Sequence, residues 1–470
     1  MTLHIPFENT YVKLPNRLFS LQKPYPVRDP KLLAFNQPLA DTLGITGTND
    51  AQELAQVFSG TVLPEGATPI AQLYAGHQFG NWNPQLGDGR AVLLGESNGY
   101  DIQLKGSGPT PYARRGDGRA WLGPVLREYV VSEAMHALGI PTTRALAAVE
   151  TGEEIMRDRP LPGAVLTRVA ASHLRVGTFQ ALAASQDTEG LQSLMEYACA
   201  RHYPEAGTPA AFLKAVVQRQ AQLVAKWMSV GFIHGVMNTD NCAISGETID
   251  YGPCAYMDTF HPGQVFSSID RHGRYAYGNQ PQIIAWNMAQ LATSLLPLED
   301  NSDQAVEEFT HIINEMPGSL RHHWQGHFAA KLGLSETTAS DEALITQLLA
   351  IMTEQKADFT NSFRHLTDAS VPETGLTSHN DYAVWHAQWT ARKTEQSSDP
   401  EDLMCQTNPY IIPRNHQIEA MISQAVSGDY TLFHHLNTAL EKPFDTMAGH
   451  ADLTTPPTAE EKVTQTFCGT

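Results

Sequence analysis

His234-Gly235-Val236-Met237-Asn238-Thr239-Asp240-Asn241, followed by Thr248-Ile249-Asp250-Tyr251-Gly252, decides how this chain is read. Two short apolar runs, Gly231-Phe232-Ile233 and Cys242-Ala243-Ile244, flank a polar loop. Polar loops held between such runs are where sites sit on a scaffold. The loop sets a carboxylate, Asp240, beside a carboxamide, Asn241, and a second carboxylate follows at Asp250. Oxygen ligands so spaced can converge on a hard cation such as Mg²⁺, which takes few protein ligands and leaves the rest to water and phosphate.

The spacing parallels the protein-kinase pattern H-R-D-x-x-x-x-N with a later D-F-G. His234 takes the place of the H, Asn241 that of the N, and Asp250-Tyr251-Gly252 stands for D-F-G. Val236 occupies the position of the catalytic Asp and cannot accept a proton. An Asp stands instead at Asp240, next to the metal-type Asn. The bland alternative is an exposed Asn/Asp turn and an unrelated Asp-Tyr-Gly turn. The upstream half of the chain weighs against it.

There, Gly87-Asp88-Gly89-Arg90 precedes the apolar run Ala91-Val92-Leu93-Leu94, then Asn98-Gly99, then Asp101-Ile102-Gln103-Leu104-Lys105. Asn-Gly between two strand-like runs signals a hairpin. Alternation in the second strand puts Ile102 and Leu104 on one face, Gln103 and Lys105 on the other. Lys105 then projects from a sheet toward the Gly-Asp-Gly turn. Glycines admit backbone N–H groups and a Lys adds a point charge, the parts of a phosphate cradle. Next comes a Gly/Pro loop with Arg114, Arg115 and Arg119, whose guanidinium groups suit phosphate oxygens. Pro124 to Leu138 reads as a helix, with Leu126, Val130, Ala134 and Leu138 inward and Gly139 as the stop. Glu128 and Glu133 point to different sides; Glu128 is the expected partner of Lys105 and Glu133 an ordinary exposed acid.

Residues 145–149 and 163–169 read as further strands. Phe212, Val216, Leu223, Trp227 and Met228 form the apolar stripe of a core helix. Pro281 opens another helix through Leu295, and residues 300–395 are mostly helical by pattern. Ile412-Pro413-Arg414-Asn415-His416 reads as a rigid turn at a helix start. Residues 1–68 are Pro-rich and form an ordered extension in which the segment Pro30 to Leu43 contains a helix ending near Gly44. The tail after Gly449 is expected to be mobile.

The chain has 470 residues, 42% hydrophobic, with a net charge of −19. So acidic a chain lacks the basic face that a sequence-independent nucleic-acid binder needs. Five scattered Cys without CxxC spacing argue for a reducing compartment and no zinc site. The first residues lack a basic and apolar leader, and no run matches a membrane span. The expectation is a cytoplasmic protein without nucleic-acid or membrane partners.

Four segments together resemble the selenoprotein O family (SelO/YdiU), protein adenylyltransferases with a pseudokinase fold. They are Tyr74-Ala75-Gly76-His77-Gln78-Phe79-Gly80, Leu104-Lys105-Gly106-Ser107-Gly108-Pro109-Thr110-Pro111-Tyr112, Asn238-Thr239-Asp240-Asn241 and Ile412-Pro413-Arg414-Asn415-His416. The likeness runs over nearly the whole chain. It implies an α+β, protein-kinase-like bilobal fold, with a small β-rich N-lobe (69–180) and a helical C-lobe (181–300). An extension (1–68), a helical C-terminal region (301–448) and a tail (449–470) complete it. It implies transfer of AMP from ATP to Ser, Thr or Tyr hydroxyls of proteins, with UMP from UTP as an alternative donor. ATP would lie reversed in the cleft, so that its α-phosphate meets the acceptor and pyrophosphate leaves.

By that likeness Gly87, Gly89, Arg90, Lys105, Asp117, Gly118, Arg168, Arg175 and Asp250 hold the nucleotide, and Glu128 orients Lys105. Asp240 is the proton acceptor, and Asn241 and Asp250 bind Mg²⁺ or Mn²⁺. A Cys near the C-terminus is another family trait, which makes Cys468 a candidate redox residue. Two other readings stay open: a phosphotransferase using Asp240, and a nucleotide-binding module without catalysis.

Overall fold

Asn98 and Gly99 both have positive φ (48° and 79°), the backbone of a tight hairpin turn, and they join strands Ala91–Ser97 and Tyr100–Lys105. That hairpin is the centre of an eight-stranded antiparallel sheet in the computed structural model, which describes residues 2–445 and 449–467. From one edge the order is Phe19–Leu21, Ile70–Gln72, Ala91–Ser97, Tyr100–Lys105, Pro160–Ala170, Arg144–Met156 and Lys31–Phe35. Ala120–Trp121 also pairs with Pro160–Ala170. In register, Lys105 lies opposite Ala91 on one side and Leu166 on the other.

The alternation expected for the Lys105 strand holds. Ile102 and Leu104 pack with Val165, Val169, Leu54 and Phe58 in a small core under one face. The opposite face, carrying Leu93 and Leu166, packs on Leu126 and Val130 of the helix Leu122–Ala137, within the main core. Glu128 lies on that helix and is 3% exposed, so the helix delivers a carboxylate under the sheet rather than to solvent.

The N-terminal extension contains the expected helix, Gln37–Thr42, which ends beside Gly44, but it holds in addition a strand, Lys31–Phe35, that was not expected. Lys31–Phe35 pairs with Arg144–Met156, far off in sequence, so pairing overrides the local pattern. The extension supplies both outer strands of the sheet, which covers edges that would otherwise be open. Glu133 also differs: it takes two hydrogen bonds from Arg144 (2.9 and 2.7 Å) and one from Asn36 (2.8 Å), clasping the extension to the sheet.

Beyond residue 170 the chain is mainly helical, a mixed α/β architecture in which strands and helices segregate along the sequence. Phe212, Val216, Leu223, Trp227 and Met228 are all buried on helix Pro209–Ser229, which packs on Gln280–Leu295 and Ser302–Lys331. Of the two runs flanking the polar loop, only Phe232–Ile233 forms a strand, and its partner is Ala255–Tyr256. The run at Cys242-Ala243-Ile244 is tied instead to Leu174 and Arg175. The described part of the tail is anchored at two points, with Leu453 buried and Thr466 bridged to Ser267. Cys468 lies outside the described residues.

Candidate active site

Lys105 reaches Glu128 in a salt bridge, the pairing expected of the strand and the helix. Its ammonium also lies 3.5 Å from Asp250. Arg168, from the adjacent strand, stands 3.3 Å from Glu128 on the other carboxylate oxygen and donates to Gln103 at 2.5 Å. Behind it, His173 Nε2 accepts from Arg168 Nε at 3.3 Å while His173 Nδ1 meets Asp101 at 3.0 Å. Burial pushes that imidazole down to about 4, so it stays neutral and accepts.

Asp250 sits in the left-handed region (φ 70°), where a non-Gly residue is uncommon. Burial opposes its ionisation, yet Lys105 and then Arg90 hold it far below the usual carboxylate range. Asp240 goes the other way. Burial pushes its pKa up to about 6, against the pull of Arg175 and of a hydrogen bond from Gln78 (3.1 Å to Oδ2). Its Oδ1 is buried with no hydrogen-bond partner among the described residues. Two carboxylates ten residues apart are thus shifted in opposite directions, one by burial and the other by neighbouring cations.

The loop that carries Asp240 is gripped by the hairpin of Gly76–Gln78 and Asn81–Asn83. The His77 N–H donates to Thr239 (2.7 Å), Gln78 to Asp240, and the Phe79 N–H to Asn238 Oδ1 (3.1 Å). A Cβ on Gly76 would lie 2.8 Å from Asp240 Oδ1, so the glycine makes room for the carboxylate. Arg175 adds a bond to the Asp240 carbonyl (2.9 Å), lies over the Tyr74 ring (4.2 Å) and stands 3.5 Å from Asp88. His234 is buried and bonds the Ile249 carbonyl (2.9 Å), which joins the Asp240 loop to the Asp250 turn. Val236 is buried at 4% exposure and offers no side-chain proton acceptor.

These groups border a cavity of about 1000 Å³. Eight Lys and Arg side chains line it against four carboxylates, an inversion of the charge balance of a −19 chain. Such a concentration of guanidinium groups favours polyphosphate. Gly87, Gly89, Arg90, Asp117, Gly118, Arg168 and Arg175 all lie in its wall, together with Lys105, Asp240, Asn241 and Asp250. Glu128 is not in the wall; it stands behind Lys105. Gly87 has φ +77°, and a Cβ there would strike the Tyr112 ring at 2.4 Å. Asp117 lies at the rim, where Arg157 binds it at 2.7 and 3.2 Å.

Four wall or support residues escape a reading of the sequence: Gln78, Asp88, Gln103 and Arg157. Asp88 accepts from Gln103 (2.9 Å) and from the Gln72 N–H (3.2 Å), so it braces the turn instead of facing phosphate. Arg157 arrives on the turn between two long strands, and no local motif marks it.

Asn241 donates its amide to the Val236 carbonyl (3.1 Å), which leaves its Oδ1 as a free acceptor. That oxygen and the ionised Asp250 are two hard donors, a set that fits Mg²⁺ or Mn²⁺ completed by phosphate and water. Among the described residues no group of three or more His, Cys, Asp or Glu could hold a metal unaided. No described helix is long and apolar enough to cross a membrane.

Comparison with known proteins covers the whole chain. The family model described as "Protein adenylyltransferase SelO" matches residues 1–441. A protein of Ruegeria sp. (strain TM1040) named "Protein nucleotidyltransferase YdiU" is 62% identical, with all of both chains covered. Relatives of the same name from Roseobacter denitrificans and Bradyrhizobium sp. (strain ORS 278) are 59% and 52% identical, again over the full length of both chains. A cleft that pairs Lys105 with Glu128, withholds an Asp from position 236 and offers one at 240 therefore has its place: the chain belongs to the SelO family of protein adenylyltransferases.

Proposed function

We propose that this chain transfers AMP from ATP to Ser, Thr or Tyr hydroxyls of other proteins and releases pyrophosphate. The observation that carries the reading is one cavity holding both a polyphosphate-type cation wall and a buried carboxylate whose pKa is raised to about 6. Lys105, Arg90, Arg168 and Arg175 bind the phosphate chain, with Gly87, Gly89 and Gly118 admitting it closely. Asp117 acts at the rim through Arg157. Glu128, shared between Lys105 and Arg168, fixes both cations.

The acceptor oxygen attacks the α-phosphorus, the bond from that phosphorus to the β-phosphate bridging oxygen breaks, and the electron pair leaves with pyrophosphate. The hydroxyl proton passes to Asp240. A base with a pKa near 6 is ionised at neutral pH and still basic enough to help. Asn241 and Asp250 would hold Mg²⁺ or Mn²⁺. When bound, the ion supplies charge neutralisation at the phosphates. Positioning and electrostatics carry the rest.

The pairing of a strand Lys with a helix Glu, above a loop in kinase order, supports a kinase-like division into an N-lobe (69–180) and a C-lobe (181–300). Val236 disfavours ordinary phosphotransfer, since no carboxylate stands at that position. Cys199, Cys242, Cys254 and Cys405 are free thiols, which accords with a cytoplasmic location.

Intact-mass spectrometry after incubation with ATP and Mg²⁺ or Mn²⁺ tests the proposal, because self-modification needs no known acceptor. The expected product is an AMP-sized adduct that is absent from Asp250→Ala. A phosphate-sized adduct would favour the phosphotransferase, and a UMP adduct forming faster from UTP would change the donor.

A further inference from the structure

A second cavity, about 470 Å³, opens on the far side of the hairpin that grips the Asp240 loop. Gln78 belongs to the first cavity and Phe79, the next residue, to the second, so one turn of chain divides them. Hydrogen bonds hold the division in place. Asn238 Oδ1 accepts both the Phe79 N–H (3.1 Å) and the Tyr275 hydroxyl (2.6 Å), two residues before Asp240. His77 lies against Trp82 (centroids 4.9 Å apart) and edge-on to Trp286 (5.3 Å), which ties the hairpin to the groove floor.

The floor is apolar, with Ile283 and Trp286, and Ile269 stands 55% exposed at its edge. The rim is cationic. Arg274 lies over Trp286 at 4.9 Å, and Arg271 and His272 are exposed beside it. Among the described residues neither Arg271 nor Arg274 has a carboxylate within ion-pair reach, in a chain with 50 Asp and Glu to 31 Lys and Arg. The acid in the groove, Asp270, is buried and accepts the N–H groups of Arg274 (2.9 Å) and Tyr275 (2.8 Å). It is committed to the backbone and does not neutralise the rim. Phosphate of the nucleotide is already served by the first cavity.

We propose that this groove docks an acidic stretch of the acceptor protein, with apolar side chains on Trp286 and Ile283 and carboxylates on Arg271 and Arg274. Docking there sets the acceptor hydroxyl across the hairpin, beside Asp240. The inference rests on the transfer reading for its purpose, but docking itself is measured without catalysis. An acidic chain repels acidic partners at long range, so a local cationic rim also selects where such a partner lands.

The test uses two fluorescein-labelled peptides that share a central Tyr and Leu residues and differ only in carrying Glu or Lys. Anisotropy with the full chain should show the Glu peptide binding at least tenfold more tightly, and more weakly as salt rises. Arg271→Glu with Arg274→Glu should reverse that order while ATP affinity is unchanged. Arg271→Glu alone, at an exposed side chain without a partner, should narrow the difference and serves if the double variant does not fold. Equal binding of the two peptides, a preference unmoved by these changes, or an oligonucleotide binding as well as the Glu peptide would overturn the proposal. Glu-peptide binding by a chain that transfers no AMP would keep the docking site and reject the chemistry.

Discussion

Two buried charge clusters make an instructive pair. One joins Lys105, Glu128, Arg168 and Asp250 at the cleft; the other joins Arg414 to Asp258 and Asp358 in the helical region. Both come from conspicuous sequence segments, and both hold cations against carboxylates. Arg414 is 1% exposed and makes five hydrogen bonds, to Asp258, twice to Asp358, and to Asn361 and the Thr454 carbonyl. It faces inward: its partners come from three separate segments that it pins together, and only its Nε lacks one among the described residues. The cleft cluster is open. It borders a cavity whose wall carries more cations than carboxylates and in which, among the described residues, Asp240 Oδ1 has no partner. An unpaired buried atom occurs in both, so what separates the functional network from the structural one is the cavity it borders and the cations that line it.

The comparison breaks most sharply at Asp240. Asp240→Asn should lower transfer by about 10²–10⁴-fold, the range for losing a general base, with ATP affinity unchanged in a binding titration. Retained transfer would remove Asp240 from the chemistry.

Arg414→Met tests the other cluster. It strands two buried carboxylates and should lower stability by about 3–5 kcal/mol in a denaturant titration. Lys105→Met should do the reverse, weakening ATP binding while changing stability little, because Arg168 still partners Glu128. A large loss of stability from Lys105→Met would erase the distinction between the two clusters.

A smaller effect has a sign that only a functional carboxylate predicts. Asp240 titrates near 6 in the fold against 3.8 when unperturbed, so its ionised form opposes folding. A shift of that size corresponds to about 2–3 kcal/mol. Asp240→Asn should therefore raise the unfolding midpoint at pH 7 and above. The gain should shrink as pH falls through 6 and vanish below about 4, where the carboxyl is protonated in both states. The same ionisation should appear in the transfer rate of the unmodified chain as a rise through pH 6. A midpoint lowered at every pH would mean that Asp240 is a structural residue.

Much of the cleft was legible in the order of residues. The Asn98-Gly99 turn, the alternation that aims Lys105, the helix that carries Glu128 and the spacing of Asp240, Asn241 and Asp250 are all local signals, and local signals survive folding. What was hidden depends on partners distant in sequence. Lys31–Phe35 carries no strand signal of its own and becomes a strand because Arg144–Met156 offers an edge. Glu133 reads as exposed until Arg144 and Asn36 close on it. Gln78 gains its place beside Asp240 only when the hairpin of residues 76–83 meets a loop 162 positions away. Arg157 enters the cleft from a turn with no motif. Ile412-Pro413-Arg414-Asn415-His416 was visible as a rigid turn, yet its purpose, a buried Arg pinning three other segments, is a fact of tertiary packing alone.

The account stands on which phosphorus is attacked. Incubating the chain and a mixture of proteins with ATP labelled at the α- or the γ-phosphate decides it in one comparison, with Asp240→Asn as the control. The account predicts protein-bound label from the α-position only, lost in the variant. Label arriving from the γ-position and none from the α-position would contradict it.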